Sequence, residues 1–309
     1  MGASLDPQAP GLACVVNVSE GRDRATVAAL AEAGGRSVLD VHSDPDHHRS
    51  VLTMGGPKVE DDVRAVARRA VERLDLRRHH GVHPRLGVLD VVPFTPLDAG
   101  GVPASGAGDL GPAVAARDRF AAWAGTTLAL PCFVYGPERS LPDVRRRAFA
   151  DLAPDTGPDR PHPSAGACAV GARPALVAYN LWLDAAELTV ARAIAGELRG
   201  PRLRALGLST AGVTQVSCNL LDPFTVGPAS VYDAVAQRAR RYGTRVVRAE
   251  LVGLAPAAVV AATPSERFEE LDLDPMRTFE ARLALVALAA GPGATAAVRP
   301  TPSPKPGGS

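Results

Sequence analysis

Apolar residues recur along the chain in two patterns, one with the period of a strand and one with the period of a helix. Short apolar runs predict strands at about residues 14–18, 37–42, 50–54, 86–94 and 129–135, and in the second half at 175–183, 213–220 and 245–254. The helical period is clearest after Pro57, at Val59, Val63, Val66, Ala70 and Leu74. Because strands alternate with helices throughout, the sequence predicts an α/β fold.

Helix boundaries are marked by their own signals. A helix over about 23–33 should end at Gly34-Gly35, and a second should carry Pro112 in its first turn after a glycine-rich stretch, 98–111. Asp184 and Glu187 suit a capping box for a helix that ends near Leu198. Further helices are predicted over 228–242 and in a last run that ends near residue 288.

Turn-forming residues divide the chain. They are densest over 150–166, which predicts an N-terminal subdomain over 12–160 and a C-terminal subdomain over 161–290. Residues 1–11 and the Pro/Gly/Ser-rich 291–309 are predicted to be disordered tails.

Charge and cysteine usage exclude several classes of protein. A formal net charge of +1 argues against a surface for nucleic acid or anionic membrane. The four cysteines are widely spaced and mostly in apolar runs, as expected of reduced, buried thiols. Neither a signal peptide nor a membrane-spanning run is recognisable, so we expect a cytoplasmic protein.

Polar residues interrupt several of the predicted strands. A buried carboxylate or amide is costly without a partner, so such residues often mark a ligand site. Alternation places Gln215 and Asn219 on one face of their strand, and Arg248 with Glu250 opposite Val247, Ala249 and Leu251. An edge strand with one solvated face would explain any single case. Their spread over both halves favours a polar cleft or tunnel, and the residues are Asn17, Asp40, Asp90, Asn180, Asn219 and Glu250.

Six of the seven histidines lie between residues 42 and 83. A metal site is an alternative, but no cysteine joins them and no established ligand spacing is present. His83 is distinct, because Pro84 favours extended backbone and Arg85 offers a fork for a carboxylate. Such a histidine could act as a general base, although this pattern alone still favours a histidine in a surface turn.

Several blocks together resemble the glutamate formiminotransferase family. The most specific is GVHPRLGVLDVVPF at 81–94, and it is preceded by CVVNVSEGR at 14–22, LDV at 39–41 and HRSV at 48–51. The second half contributes GACAVGARPALVAYN at 166–180, QVSCNL at 215–220 and ELVGL at 250–254. The resemblance covers roughly residues 12–256.

The resemblance implies two α/β subdomains with facing mixed sheets, helices outside and a folate tunnel between the sheets. It implies a homodimer that transfers a formimino or formyl group from N-formimino-L-glutamate to N5 of tetrahydrofolate, a step of histidine degradation. His83 would be the general base, and no metal is expected. Arg49, Arg85 and Arg173 would hold carboxylates. The remaining substrate-binding residues would be Asn17, Asp40, His42, His48, Asp90, Asn180, Gln215, Asn219 and Glu250.

Three departures from the family pattern occur within the part of the chain that the resemblance covers. His48 stands where relatives commonly carry Asn, His42 stands where animal enzymes carry an acidic residue, and the stretch 147–158 is shortened. A different N-formimino or N-formyl donor therefore stays an alternative. So do a metal-dependent hydrolase and a folate-binding protein without turnover.

Overall fold

The computed structural model describes residues 11–81, 84–98, 100–105, 108–210 and 213–289. His83 and, apart from Gly11, both predicted tails lie outside these residues. The chain divides into two compact units, and the first holds the described residues up to Ala104, Gly108–Arg173 and the end of the last helix. The second unit holds Ser105 and Pro174–Ala284.

The first unit is built on a six-stranded mixed sheet. Its strands are β1 (Leu12–Val18), β2 (Val38–Asp44), β3 (Arg49–Gly55), β4 (Leu89–Pro96), β5 (Cys132–Tyr135) and β6 (Cys168–Ala172). They lie in the order β2-β3-β1-β4-β6-β5. Neighbours from β2 to β4 are antiparallel, whereas β6 runs parallel to both β4 and β5.

Helices cover one whole face of this sheet and part of the other. On the first face, α1 (Arg24–Ala33), α2 (Val59–Arg73) and α3 (Gly111–Thr127) pack on alternate residues of the strands. The predicted stripe of α2 is confirmed, since its apolar residues are buried in this core. On the opposite face, α4 (Leu141–Arg147) inserts Val144 beside Phe133 and Tyr135.

The second unit has a four-stranded antiparallel sheet in the order β10-β7-β9-β8. Its strands are β7 (Val177–Leu183), β8 (Leu203–Thr210), β9 (Val213–Leu220) and β10 (Val246–Val252). The helices are α5 (Leu188–Leu198), α6 (Pro228–Arg241), α7 (Ala257–Ala261) and the start of α8 (Phe279–Ala289). A separate apolar core lies between one face of the sheet and residues of α5, α6 and α7. The prediction of an α/β fold is confirmed.

Strand β6 changes where the first unit ends. The sequence predicted the subdomain boundary at residue 160, whereas the first unit continues to Arg173. The cause is long-range pairing, because Val170 of β6 lies beside Val92 on one side and Val134 on the other. The turn-rich stretch before β6 therefore lies inside the first unit.

Two local predictions are wrong. Glu187 occupies the N-cap of α5, but no side chain caps this helix, and Asp184 accepts instead from Nε of Arg245 at 3.0 Å. In β10 the register shifts between Val246 and Arg248, which leaves Val247 50% exposed instead of beside Ala249.

No helix within the described residues is both long enough and apolar enough to span a membrane.

Candidate functional site

The face of the first sheet turned away from α1, α2 and α3 carries several of the predicted site residues. Asn17 of β1 and His42 of β2 both lie opposite Val51 of β3, and Asp40 lies opposite Thr53. Side chains alternate along a strand, so the residues between these positions fill the helix-covered core. The register therefore places Asn17, Asp40 and His42 on one face.

On this face of the first sheet, three oxygens of buried side chains have no hydrogen-bond partner among the described residues. They are Oδ1 of Asn17 and the hydroxyl oxygens of Thr53 and Thr95. The amide nitrogen of Asn17 donates to the carbonyl of Val15 at 2.8 Å, which fixes the orientation of the amide. A buried polar group left without a partner costs about 1–3 kcal/mol. These oxygens are available to a ligand or to ordered water.

Arg49 brings a buried positive charge close to this face. Its backbone lies opposite Asp44 at the start of β3, and its guanidinium interacts electrostatically with Asp90. Burial lowers the pKa of Arg49 to about 10, while the charge of Asp90 opposes that shift. Arg49 is therefore cationic at neutral pH and can attract a carboxylate of a substrate.

Arg173 contributes a second buried guanidinium, at the end of the first unit. Burial lowers the pKa of Arg173, and the hydroxyl of Tyr135 partly opposes this as its hydrogen-bond partner. Burial also raises the pKa of Tyr135 to about 12. The ring of Tyr135 covers Gly171, because a Cβ there would lie 2.1 Å from the ring carbon Cζ. Gly171 thus permits the position of the tyrosine that contacts Arg173.

His48 and His79 form a stacked pair at the turn between β2 and β3. Their ring centroids are 4.1 Å apart, and Nε2 of His79 lies 2.8 Å from the carbonyl oxygen of His48. Arg85 donates to Nδ1 of His79 and, at 2.8 Å, to the carbonyl of Gly81. Because a guanidinium only donates, Nδ1 of His79 accepts and its Nε2–H donates to His48.

The imidazole of His48 is held in its neutral form. Its Nδ1 accepts from the backbone N–H of Gly21 at 3.2 Å and lies 3.4 Å from a carboxylate oxygen of Glu20. Burial lowers the pKa of His48; Glu20 opposes that shift, and the positive charges of Arg22 and Arg85 add to it. His48 is therefore a hydrogen-bonding group at neutral pH.

Asp90 has its carboxylate engaged within the protein. One oxygen accepts from the backbone N–H of Leu86 at 2.7 Å, and the other accepts from Arg145 of α4 at 2.6 Å. Asp90 is only 2% exposed, so its predicted contact with a substrate is not evident from its surroundings. Arg145 also reaches the segment that follows His83, since it donates to the carbonyl of Pro84 at 3.0 Å.

The second unit has a polar face of its own, opposite its helices. Asn180 of β7 donates to a carboxylate oxygen of Glu250 in β10 at 3.0 Å, and both residues are buried. The guanidinium of Arg248 lies 4.3 Å from the ring centroid of Trp182 and 3.8 Å from Glu250. Gln215 of β9 lies opposite Trp182 and is fully buried.

Two further residues differ in exposure on this face. Asn219 is exposed and lies opposite Ala178, two positions along β9 from Ser217. The indole N–H of Trp182 is buried and has no acceptor among the described residues. The predicted residues Asn180, Gln215, Asn219 and Glu250 thus share one face of the second sheet.

Several residues of these two faces were not predicted from the sequence. Strand alternation alone would have found Thr53 and Thr95, because each is one position from a core residue of its strand. Tyr135 and Arg145 gave no such signal, since Tyr135 ends a short apolar run and Arg145 lies among three consecutive arginines.

Two further observations bear on the kind of site. Within the described residues there is no group of three or more His, Cys, Asp or Glu side chains that could hold a metal ion. A cavity of about 470 Å³ lies in the second unit and contains none of the predicted site residues. It lies where the start of α5 meets the end of α6, beside Asp184 and Arg245.

The chain was compared with known protein families. Residues 11–173 match the N-terminal subdomain of the formiminotransferase domain, and this match ends where the first unit ends. The match covers more than half of the sequence. The chain belongs to the formiminotransferase family.

Named relatives agree with this assignment. A glutamate formimidoyltransferase of Streptococcus pyogenes is 32% identical over 84% of this chain and 94% of its own length. One from Thermoplasma acidophilum is 32% identical over 79% and 87%. The formimidoyltransferase-cyclodeaminase of Sus scrofa is 33% identical, but the match covers only 50% of its length. The chain is therefore an enzyme of the transferase class that is similar to stand-alone formimidoyltransferases.

Proposed function

We propose that the chain transfers the formimino group of N-formimino-L-glutamate to N5 of tetrahydrofolate, with His83 as the general base. The observation that carries this proposal is the set of buried polar side chains on one face of the first sheet, in a chain of this family. Asn17, Thr53 and Thr95 each offer an oxygen without a partner among the described residues. Such a face suits a polar, flat ligand better than a plain core does.

The proposed reaction needs only proton transfer and orientation. N5 of tetrahydrofolate attacks the carbon of the formimino group, and a bond between N5 and that carbon forms. His83 takes the proton that N5 loses, and the bond from the carbon to the glutamate nitrogen then breaks. The same proton passes to the leaving nitrogen, so glutamate and 5-formiminotetrahydrofolate are the products. A histidine of pKa near neutrality suits both directions of this transfer.

Buried guanidinium groups would bind the carboxylates of the two substrates. Arg49 and Arg173 are the best placed, because both are buried and cationic on the first unit. Arg85 would join them from the loop that follows His83. Holding two substrates in one orientation removes much of the entropic cost of a bimolecular reaction.

Amide and carboxylate groups would recognise the pterin ring, which presents several donors and acceptors. We assign this role to Asn17 and Asp40 of the first unit and to Asn180, Gln215 and Glu250 of the second. His42, His48 and Asn219 would complete the polar surroundings. We further propose a cytoplasmic homodimer without a bound metal, acting in histidine degradation.

The test is formimino transfer measured with purified protein, formiminoglutamate and tetrahydrofolate. His83→Ala should lower the rate by about 10²–10⁴-fold if His83 is the base. His80→Ala is the matched control, since it removes an exposed imidazole three positions away, and it should keep wild-type activity. An unchanged rate in His83→Ala would remove this residue from the mechanism. Inactivation by a chelator that added metal reverses would favour the hydrolase instead.

His48 favours a second candidate, transfer from a different N-formimino or N-formyl donor. It lies beside Glu20 and Arg85, where the family commonly carries Asn. The same assay should be repeated with N-formylglutamate and with formimino derivatives of other amino acids. A larger kcat/KM for one of these than for formiminoglutamate would establish the alternative donor.

A further inference from the structure

Helix α4 presents one arginine to the protein interior and two to solvent. Arg145 is 21% exposed, whereas Arg146 is 66% exposed and pairs with Asp143 within the same helix. Arg147 pairs with Asp151 just beyond the helix end. Val144, the residue before Arg145, is buried against the sheet, so Arg145 lies beside the sheet and is only partly exposed.

Among the described residues, Arg145 makes three hydrogen bonds, which go to Pro84 after His83 and to Asp90, the residue that supports this segment. Its two Nη atoms donate to the two carboxylate oxygens of Asp90, at 2.6 and 3.3 Å. One of them also donates to the carbonyl of Pro84 at 3.0 Å. Asp90 in turn accepts from the backbone N–H of Leu86 at 2.7 Å.

The segment on the other side of His83 is held as well. Arg85 donates to the carbonyl of Gly81 at 2.8 Å. Gly81 itself packs closely on the β2–β3 turn, since a Cβ there would lie 2.5 Å from the carbonyl oxygen of His47. The described residues on both flanks of position 83 are therefore fixed by specific contacts.

We propose that Arg145 is a positioning residue for the general base. It acts through Asp90 and Pro84 to fix the described residues that follow position 83, and this inference rests on the proposed function of His83. The planar fork of the guanidinium matches this arrangement, because its two Nη atoms reach separate oxygens of Asp90 while one of them also reaches the carbonyl of Pro84. Arg145 also balances the charge of Asp90, which is too deeply buried to be stable without a partner.

A positioning role predicts a loss in kcat and little change in substrate binding. Arg145→Ala should lower kcat by about 10²-fold, because a small displacement of a catalytic group is enough for such a loss. The KM for each substrate should stay within about twofold of the wild-type value. Arg146→Ala is the matched control, since Arg146 lies on the solvated side of the same helix. It should keep wild-type kinetics.

A double-mutant cycle with His83→Ala tests whether Arg145 acts through the base. In the His83→Ala background, Arg145→Ala should change the rate by less than about twofold, because the group it positions is already absent. Losses that multiply would overturn the proposal, and so would a raised KM with an unchanged kcat. If the His83→Ala variant is fully active, His83 is not the general base, and this conclusion does not depend on the result for Arg145→Ala.

A variant that does not fold would also lose activity, so the folding of each variant must be measured separately. Thermal unfolding of each variant should be compared with that of Arg146→Ala. Arg145→Lys keeps the positive charge beside Asp90 and is the second variant if Arg145→Ala does not fold. We expect it to fold and to lose about tenfold in kcat, again without effect in the His83→Ala background. Full activity of Arg145→Lys would show that charge balance alone is required and would overturn the positioning role.

Discussion

At the residue scale, His48 joins an unusual backbone conformation to a half-buried, neutral side chain. Its φ of 51° lies in the left-handed region, which costs energy for most residues and least for Gly and Asn. Its ring stacks on His79, lies 3.4 Å from a carboxylate oxygen of Glu20 and interacts electrostatically with Arg22. Asparagine at this position would be compatible with the backbone and would not titrate.

We predict that His48→Asn reduces the loss of stability in acid. The pKa of His48 is lower in the folded protein, so the unfolded chain binds more protons as the pH falls below about 6.5. The stability that comes from the neutral ring is present above that pH and is lost below it. The midpoint of thermal unfolding should therefore fall less in His48→Asn than in the wild type between about pH 8 and pH 5.5.

The control for this prediction is His80→Asn, which removes an exposed imidazole of the same region. Its unfolding curves should shift with pH as those of the wild type do. Equal acid sensitivity of His48→Asn and the wild type would mean that His48 does not set this dependence.

Individual residues of the site were predictable to different degrees. Polar residues inside apolar runs made Asn17, Asp40 and Glu250 candidates for the site, because burial of such groups is costly, and all three are buried. Arg145 could not be identified, since nothing local distinguishes it from Arg146. Its partner Asp90 lies 55 positions away in the chain, and only the packing of α4 on the sheet joins them.

At the element scale, the close contact between α5 and β8 depends on Gly207, which has no side chain. A Cβ on Gly207 of β8 would lie 2.4 Å from the backbone nitrogen of Arg192 and 2.5 Å from the carbonyl carbon of Ala191. These are backbone atoms of α5, so they cannot move aside as a flexible side chain could. Gly207 therefore allows the helix to approach the strand closely.

We predict that Gly207→Ala and Gly196→Ala change stability in opposite directions. Gly207→Ala should lower the free energy of unfolding by about 1–3 kcal/mol, because the helix and strand must separate. Gly196 lies on the exposed side of α5, where an added Cβ would meet no other part of the protein within 4 Å. Its replacement by Ala should raise the free energy by about 0.5–1 kcal/mol through helix propensity.

Unfolding in denaturant measures both changes on the same protein. A Gly207→Ala variant as stable as Gly196→Ala would contradict the close packing of α5 on β8. We expect no change of activity in either variant, because Gly196 lies in α5 and Gly207 packs against α5, on the helix-covered side of the second sheet.

The elements themselves were predicted where the local pattern is strong. Strand β9 and helix α2 were found because their periods are regular over their whole length. Strands β6 and β8 were not predicted, since each has a glycine in its interior, which weakens the strand pattern. The pairing of β6 with β4 and β5 also joins segments that are far apart in the chain, and no local signal encodes it.

At the scale of the whole molecule, each unit has its own apolar core and its own polar sheet face. The core of the first unit is formed with α1, α2 and α3, and that of the second with α5 and α6. The sequence predicted two subdomains because the alternation of strands and helices is repeated in both halves. It did not predict the division after Arg173, which depends on strand pairing across the first sheet.

A substitution at Glu250 tests whether the second unit takes part in folate binding. Glu250→Gln keeps the shape of the side chain and an oxygen that can accept from Asn180, so the fold should persist. Loss of the negative charge should weaken a hydrogen bond to the pterin and raise the KM for tetrahydrofolate by about tenfold. Glu269→Gln, an exposed site of the same unit, should leave this KM unchanged. A wild-type KM in both variants would restrict folate recognition to residues other than Glu250, because the substitution removes the charge while the buried contact with Asn180 persists.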